Sequence, residues 1–595
     1  MNRAIFLGIG LLSSIFCAAQ NDITKLKPNA KEQQFSIRQN EEKNFEVELD
    51  KNLWYNITAE QKGIDVVLYI KDSNQKVLAE VDSPNGKFGI EKKTFSPDSS
   101  GRYFISIKPL HEKENSNQGN CTMRIASVSG TLKKFSKSQL LADFDVLKNA
   151  YIETKVGLWY NSYAELDSVC NLLRNRIQDN MTAWDFYKIT ALLTTYTKEG
   201  HSAIAPSDET NDFFLQYGTY FPFFVKIIDG KIYVLNDYQN LKTKGLIISK
   251  INGIDANKIL DTFTQIEPAD GYNYTSKYKW IEPAFSRYLL RFYGLSKSFA
   301  IEFKNPVTDT KSLQTITALN FKKFNELRRI FNTENPGYYS FTEPASISIN
   351  AAENHAVLTI NTFSANAYAG KKEGFRKYLD SVFLDINARK ITNLIIDIRK
   401  NEGGNQGMED ILLSYLITKP YQKYEFVEIP SFKYSFLAYT DYKNEDDILK
   451  KELSNYFSFY NNGRYLNRPD RYQGMLPSPI HFKGKLFVLL GGLTFSGGSE
   501  FAALAKNYTE AKFIGEESGG GYYGNTSGSY LKFILPNTQV SGRIPLAKFV
   551  VNTSFNQIPF GRGLIPDEKI TETVEDILNH RDTVMDFTRS LIRKK

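Results

Sequence analysis

Lys485–Asn507, KLFVLLGGLTFSGGSEFAALAKN, reads as a buried strand, a glycine-rich turn and a helix in immediate succession. Leu486–Leu490 is a short continuous apolar run, the pattern of a strand covered on both faces. Gly491-Gly492 and Gly497-Gly498 bracket Ser496 with backbone that can turn sharply and approach another group closely. From Glu500, the residues Phe501, Leu504 and Ala505 recur at helical spacing. A serine between the end of a parallel strand and the start of a helix faces free backbone N–H groups and the positive end of the helix dipole. Both favour a developing negative charge, so Ser496 is a candidate nucleophile.

At 595 residues the chain exceeds one hydrophobic core, and its size predicts about three to five domains. With 42% hydrophobic and 24% charged residues the composition is that of a globular protein. The net charge of +8 is dispersed, with no Lys/Arg cluster beyond Arg593-Lys594-Lys595, and no nucleic-acid-binding module is present, so nucleic acid is not an expected partner. Met1-Asn2-Arg3, the apolar Ala4–Phe16 and Cys17-Ala18-Ala19 before Gln20 have the order of a secretory leader, residues 1–19. Bulky Phe16 argues against lipidation of Cys17. The expected location is therefore periplasmic or extracellular, without a stable membrane span, since no later stretch approaches the ~20 apolar residues a span needs. Cys121 and Cys170 fall in different predicted domains, so neither a disulfide nor a zinc site is expected.

Residues 20–130 are β-patterned: runs such as Asn44–Leu49, Asp65–Ile70 and Arg102–Ile107 alternate and are separated by turns such as Pro84-Asn85-Gly86. This spacing predicts a β-sandwich. Gly63–Leu68 and Gly101-Arg102-Tyr103-Phe104 resemble the prepeptidase C-terminal-type domain, which implies an accessory module. Residues 131–205 turn helical, with stripes led by Leu140, Leu166 and Phe186; Thr182 and Asp185 mark a helix start, and Gly200 is read as ending that helix before His201 opens an extended segment. Residues 206–325 return to β, with strands over 221–228, 231–235 and 247–251. Gly245–Gly253 followed by Asp255–Leu260 resembles a PDZ domain, which implies binding of an extended peptide. Residues 326–595 alternate strand and helix, the signature of an α/β layer structure.

Three strand ends in that last region carry polar or glycine-rich loops: Asp397–Gly404, the Ser496 turn, and Gly515–Gly521. Loops at the C-terminal ends of parallel strands are where open α/β sheets build sites. Together with Gly563–Asp567 they resemble the C-terminal-processing (tail-specific) serine peptidase family, over Phe135 to the C-terminus. The resemblance implies a multidomain α+β protein whose last domain is a ClpP/crotonase-like α/β peptidase. Its substrate is a polypeptide, and no metal or organic cofactor is implied. By the match Ser496 is the nucleophile, and backbone at Gly497 and at Gly403-Gly404 binds the oxyanion.

Many family members place a lysine base in the loop where this chain has Gly521. The sequence is instead similar to the tricorn-core and interphotoreceptor retinoid-binding-protein branch, in which a histidine ahead of the PDZ-like region serves, and His201 matches it. A neutral imidazole can take the proton a serine cannot lose unaided. Glu516 and Glu517 are the candidates to orient that imidazole, Glu516 being named as the catalytic one. Ser499 is the rival nucleophile, although serine directly before a helical run commonly caps free amides. Asp397 and Arg399 read as a pair that fixes the loop. Gly519–Gly521 lacks the Lys-Ser/Thr of a phosphate-binding loop, so nucleotide binding is rejected. The expected activity is secreted serine endopeptidase; the competing reading is a non-catalytic peptide- or ligand-binding protein on the same scaffold.

Overall fold

The computed structural model describes residues 23–593 apart from 112–115, 156–158, 444, 461–463 and 554–556, and the leader read over 1–19 lies outside the described residues. The chain divides into two compact units, the first ending at Gly130 and the second running from Thr131 to Lys595. In the first, one sheet runs in the order Thr24–Leu26, Lys43–Leu49, Gly101–Pro109, Val66–Lys71 and Val77–Val81. The other runs Gln33–Arg38, Gln118–Ser127, Tyr55–Lys62 and Phe88–Phe95. Alternation does the work here: Tyr55, Ile57, Ala59 and Gln61 are buried while their neighbours are only partly so. Ile57, Leu68, Ile105 and Ile107 from both sheets meet in one fully buried cluster.

The second unit holds a mostly parallel sheet in the order Ala345–Asn350, His355–Ile360, Asn393–Asp397, Lys485–Leu490, Lys512–Gly515 and Glu568–Lys569; only the first pairing is antiparallel. The strand alternation explains why its central members read as unbroken apolar runs. Leu394, Ile396, Val488 and Leu490 enter the main core, which includes the helices Lys371–Ala388 and Gly497–Tyr508. Ile395, Phe487, Leu489 and Ile514 face the other way and are covered by Val584 and Met585 of the helix Thr583–Arg593. Both faces are buried, as the sequence required of a parallel sheet.

An antiparallel sheet adjoins it: Ala203–Ala205, Ser541–Val551, Tyr424–Ile429, Tyr465–Asn467 and Phe457–Phe459, with Gly524–Ile534 also on Ser541–Val551. Ala203 pairs with Arg543, so the residues just after His201 are tied to the C-terminal part of the chain. A third, antiparallel sheet joins Val225–Ile228, Lys231–Val234, Ile247–Ile251, Ser298–Lys304 and Lys311–Thr317, and is flanked by the helices Ala256–Thr264 and Tyr274–Tyr293.

Several local expectations change. Thr182 does cap a helix, in a capping box with Asp185, but that helix ends at Tyr196 rather than Gly200. Lys198 has φ of 56°, which breaks the helix before the glycine is reached. The helix after Ser496 begins at Gly497, three residues earlier than its first charged residue suggested. The region read as β over 206–325 also contains Asp208–Tyr217 and the twenty-residue helix Tyr274–Tyr293, which carries Pro283 inside it.

Candidate active site

Ser496 has φ of 52° and ψ of −123°, a backbone conformation that costs a side-chain-bearing residue energy and persists only where its surroundings impose it. It is the N-cap of Gly497–Tyr508, yet its side chain makes no capping bond, and the residue is half-buried rather than sealed. The constraint is local. Thr494 Oγ1 donates to Ile398 O (2.8 Å) and accepts from Gly491 N (3.1 Å), while Phe495 N donates to Asn401 O (3.0 Å). The turn is thus fixed to the end of the neighbouring parallel strand. Ser499 is different in kind. It is 3% exposed, and its hydroxyl donates to Thr494 O (2.7 Å) and accepts from Gly520 N (3.0 Å). Its donor and acceptor capacity braces the serine turn against the glycine loop.

The Gly403-Gly404 loop lies against the same turn. Gly403 and Gly404 have φ of 91° and 155°. A Cβ on Gly403 would stand 2.7 Å from both Gly497 N and Ser496 Cβ, and one on Gly404 would stand 2.1 Å from Phe363 C, so only glycine fits either place. The amide of Gly403 is already committed to Asn401 Oδ1 (2.8 Å), and Asn401 is itself buried and donates to Ile360 O (3.0 Å). The amides of Gly404 and Gly497, like that of Ser496 itself, have no internal acceptor among the described residues. They come from the two elements that converge at Ser496.

His201 is 4% exposed, its ring 4.6 Å from that of Phe495 at an interplanar angle of 30°, and 6.5 Å from that of Tyr530. It is therefore packed against the residue next to Ser496, yet neither of its buried ring nitrogens has a hydrogen-bond partner among the described residues. Burial, and then the nearby Arg543 cation, push its pKa down to about 3. The imidazole is neutral, as a base must be, but is not joined to the serine hydroxyl.

The predicted orienting carboxylates are occupied elsewhere. Glu516 pairs with Lys279 (2.7 Å); burial works against its charge, but Lys279 and Lys226 outweigh it and hold the carboxyl below its ordinary range. Glu517 pairs with Arg562 and accepts from Gly563 N (2.9 Å). Neither is hydrogen-bonded to His201. The carboxylate that reaches the histidine turn is Asp270, which the sequence reading missed: Oδ1 accepts from Gly200 N (2.8 Å) and Oδ2 from Gly521 N (3.1 Å). An Asp-Gly pair closing one helix ahead of the next was its only local signal.

The glycine loop leaves no room for a lysine. A Cβ on Gly521 would stand 2.5 Å from Gly524 O, one on Gly520 2.3 Å from Ser499 Oγ, and one on Gly519 2.1 Å from Gly492 O. The loop is packed flush against the serine turn: a side chain at Gly519 or Gly520 would push the two apart, and one at Gly521 would press on the loop's own Gly524.

Residues 354–569 match peptidase family S41. These residues form an S41 peptidase domain, and the chain is a serine-type peptidase. Ser496, Asn401 and the glycine loops fall inside the matched residues; His201 and Asp270 lie outside them. The mature form of CPAF in complex with lactacystin has the same fold over 77% of this chain and 99% of its own, with a TM-score of 0.53 and 14% identity. Mature CPAF alone gives 0.52 and 14%, over 77% and 98% of the two chains. No curated protein matches the chain.

Behind the serine helix, the S41 domain buries an ionic cluster that the sequence did not announce. Lys423 Nζ contacts Glu409, Asp410 (2.8 Å) and Glu500 (3.7 Å), and Glu500 is held further by Tyr424 Oη (2.7 Å) and Asn525 Nδ2 (3.0 Å). Glu500 N also donates to Ser496 O (2.9 Å), so the cluster anchors the first turn of the helix. Burial disfavours the Lys423 ammonium, but the carboxylates of Asp410 and Glu409 overcome it and hold the lysine charged, which disqualifies it as a base. Burial pushes Glu409 up to about 7, against the pull of Lys423. Among the described residues no three His, Cys, Asp or Glu side chains are grouped to hold a metal, no helix is long and apolar enough to cross a membrane, and Cys121 and Cys170 are buried free thiols.

Proposed function

We propose that the protein is an exported endopeptidase of the tail-specific type that cleaves polypeptides through an acyl-enzyme on Ser496. The observation that carries this reading is the strained Ser496 turn at the start of a helix, where the loop with the uncommitted amide of Gly404 packs beside the equally uncommitted amide of Gly497. Ser496 Oγ attacks the scissile carbonyl carbon while His201 takes the hydroxyl proton. The amides of Gly497 and Gly404 receive the oxyanion. Collapse breaks the C–N bond, and the departing amine takes the proton from His201. Water then repeats the sequence on the ester and frees Ser496.

His201 enters this cycle only once its ring leaves the shelter of Phe495, so the arrangement described above is a resting one. Catalytic hydrogen bonds that are open in a free enzyme commonly form with substrate bound. The sheet and helices over 206–325 act, in this reading, as a PDZ-like module that presents an extended peptide, and the two sheets before Gly130 as an accessory β-sandwich. A second reading, a binding protein on a peptidase scaffold, draws on the sealed and unbonded His201.

A fluorophosphonate–rhodamine probe separates them. The parent and Ser499→Ala should take label, and Ser496→Ala should take none. An unlabelled parent favours the binding protein, and loss of label in Ser499→Ala alone transfers the nucleophile to that residue. Turnover of fluorescein-casein against a short-chain ester then distinguishes peptidase from general acyl hydrolase.

A further inference from the structure

We propose that Asp270 is a positioning residue for this reaction: its carboxylate locks the turn that carries His201 to the glycine loop that braces Ser496. The inference rests on the reading of Ser496 and His201 as nucleophile and base. Asp270 is 1% exposed, and each of its oxygens accepts one backbone amide, from Gly200 (2.8 Å) and from Gly521 (3.1 Å). Its neighbours repeat the connection: Gly271 N donates to Lys198 O (2.9 Å), Tyr272 N to Gly561 O (2.7 Å) and Asn273 Nδ2 to Ser518 O. Asp270, Gly271 and Asn273 therefore bind the turn before His201 on one side and the loop after Gly515 on the other, while Tyr272 ties in the segment at Gly561.

The chain of contacts has little slack. A Cβ on Gly200 would stand 2.8 Å from the Phe495 ring and 3.0 Å from Asp270 Oδ1. From Gly521 the path continues to Gly520, whose amide is on Ser499 Oγ (3.0 Å) and whose Cβ position is 3.3 Å from Ser496 N. One carboxylate thus sets the separation of nucleophile and base, which lie 295 positions apart in the sequence (496 minus 201).

Two N–H groups converge on Asp270, so it must offer two acceptors. A carboxamide, or a proton on the carboxyl, turns one contact into donor against donor. The groups facing it are the hydroxyls of Tyr160 and Tyr530, with Glu199, His201, Lys198 and Arg543 around the same turns. Burial raises Asp270 to about 6, with the two amide bonds opposing that rise. Below about pH 6 the carboxyl takes a proton and one tether is lost, while the glycine packing persists.

The test uses the full chain and the second-order rate of fluorophosphonate–rhodamine labelling from pH 5 to 8. The parent should show a step near pH 6. Asp270→Asn should label at least about tenfold more slowly at pH 8, and without that step. Labelling of Asp270→Asn at the parent rate, or with the parent's step retained, overturns the inference while leaving Ser496 in place. A parent that takes no label overturns both. Should Asp270→Asn fail to fold, hydrogen exchange in the parent decides. Protection of the Gly200 and Gly521 amides, corrected for intrinsic rates, should fall together below about pH 6. Protection that stays flat refutes the tether.

Discussion

His201 answers to two demands that pull against each other. Its place beside Phe495 brings it within one residue of Ser496, but two ring nitrogens are buried there without hydrogen-bond partners among the described residues. An unmet buried polar group costs about 1–3 kcal/mol. His201→Phe should therefore stabilise the protein, by about 1 kcal/mol or more in denaturant unfolding at pH 7, while labelling of Ser496 falls by at least about a hundredfold. The pH dependence follows from the same burial. A folded-state pKa of about 3 against 6.5 unfolded means the unfolded chain binds the proton first. This histidine's contribution is thus intact above about pH 6.5 and lost progressively as pH falls towards 3. The variant should flatten that part of the profile; an unchanged acid slope would show that other groups govern it. The strand, turn and helix around Ser496 were legible because their cues are adjacent in sequence: an apolar run, glycine pairs and a helical stripe. Asp270 and the Lys423 cluster were not, because their meaning lies in partners that only the fold brings near, Gly521 in one case and Glu500 in the other.

At the scale of elements, the central strands of the parallel sheet could be read directly, because burial on both faces makes them continuously apolar, whereas the outer strands Ala345–Asn350 and Glu568–Lys569 could not. The helix Tyr274–Tyr293 could not. Pro283 removes a backbone donor within it and argues locally for a break. Ile281, Phe285, Leu289 and their neighbours pack one face into the core, and that tertiary burial outweighs the local preference. The loops at the active site show the same dependence on what lies opposite. Gly403 needs φ of 91°, and a Cβ would press on Ser496 and Gly497 at 2.7 Å. Gly497 is helical, and its nearest neighbours to a new Cβ stand at 3.6 Å, ordinary contact. Gly403→Ala should therefore lower kcat on fluorescein-casein by about 10²–10³, the scale of a lost oxyanion contact, with KM changed little. Gly497→Ala should stay within about threefold of the parent. Equal effects in the two variants would mean that glycine content, rather than the approach of these two loops, is what the site requires.

The whole molecule is built as two compact units, and this bears on which part performs the chemistry. The unit ending at Gly130 closes its own cluster around Ile37, Ile57, Leu68 and Ile105. Every residue of the candidate site belongs to the unit from Thr131 onward, where one continuous core runs from Phe135 to Leu564. That continuity has a consequence for truncation. The helices over 137–196 and the sheet between Val225 and Thr317 share the core of the S41 domain, so residues 354–569 alone should not fold to an active enzyme. A chain of residues 131–595 keeps the whole of that core. It should express as a soluble protein, unfold within about 2 °C of the large transition of the full chain, and take fluorophosphonate label at the full-chain rate. The full chain should give two calorimetric transitions, the one absent from the truncated protein belonging to the first unit. If the truncated protein instead aggregates or labels at least tenfold more slowly, the first unit contributes to the fold or to the site. The accessory role assigned to it then fails.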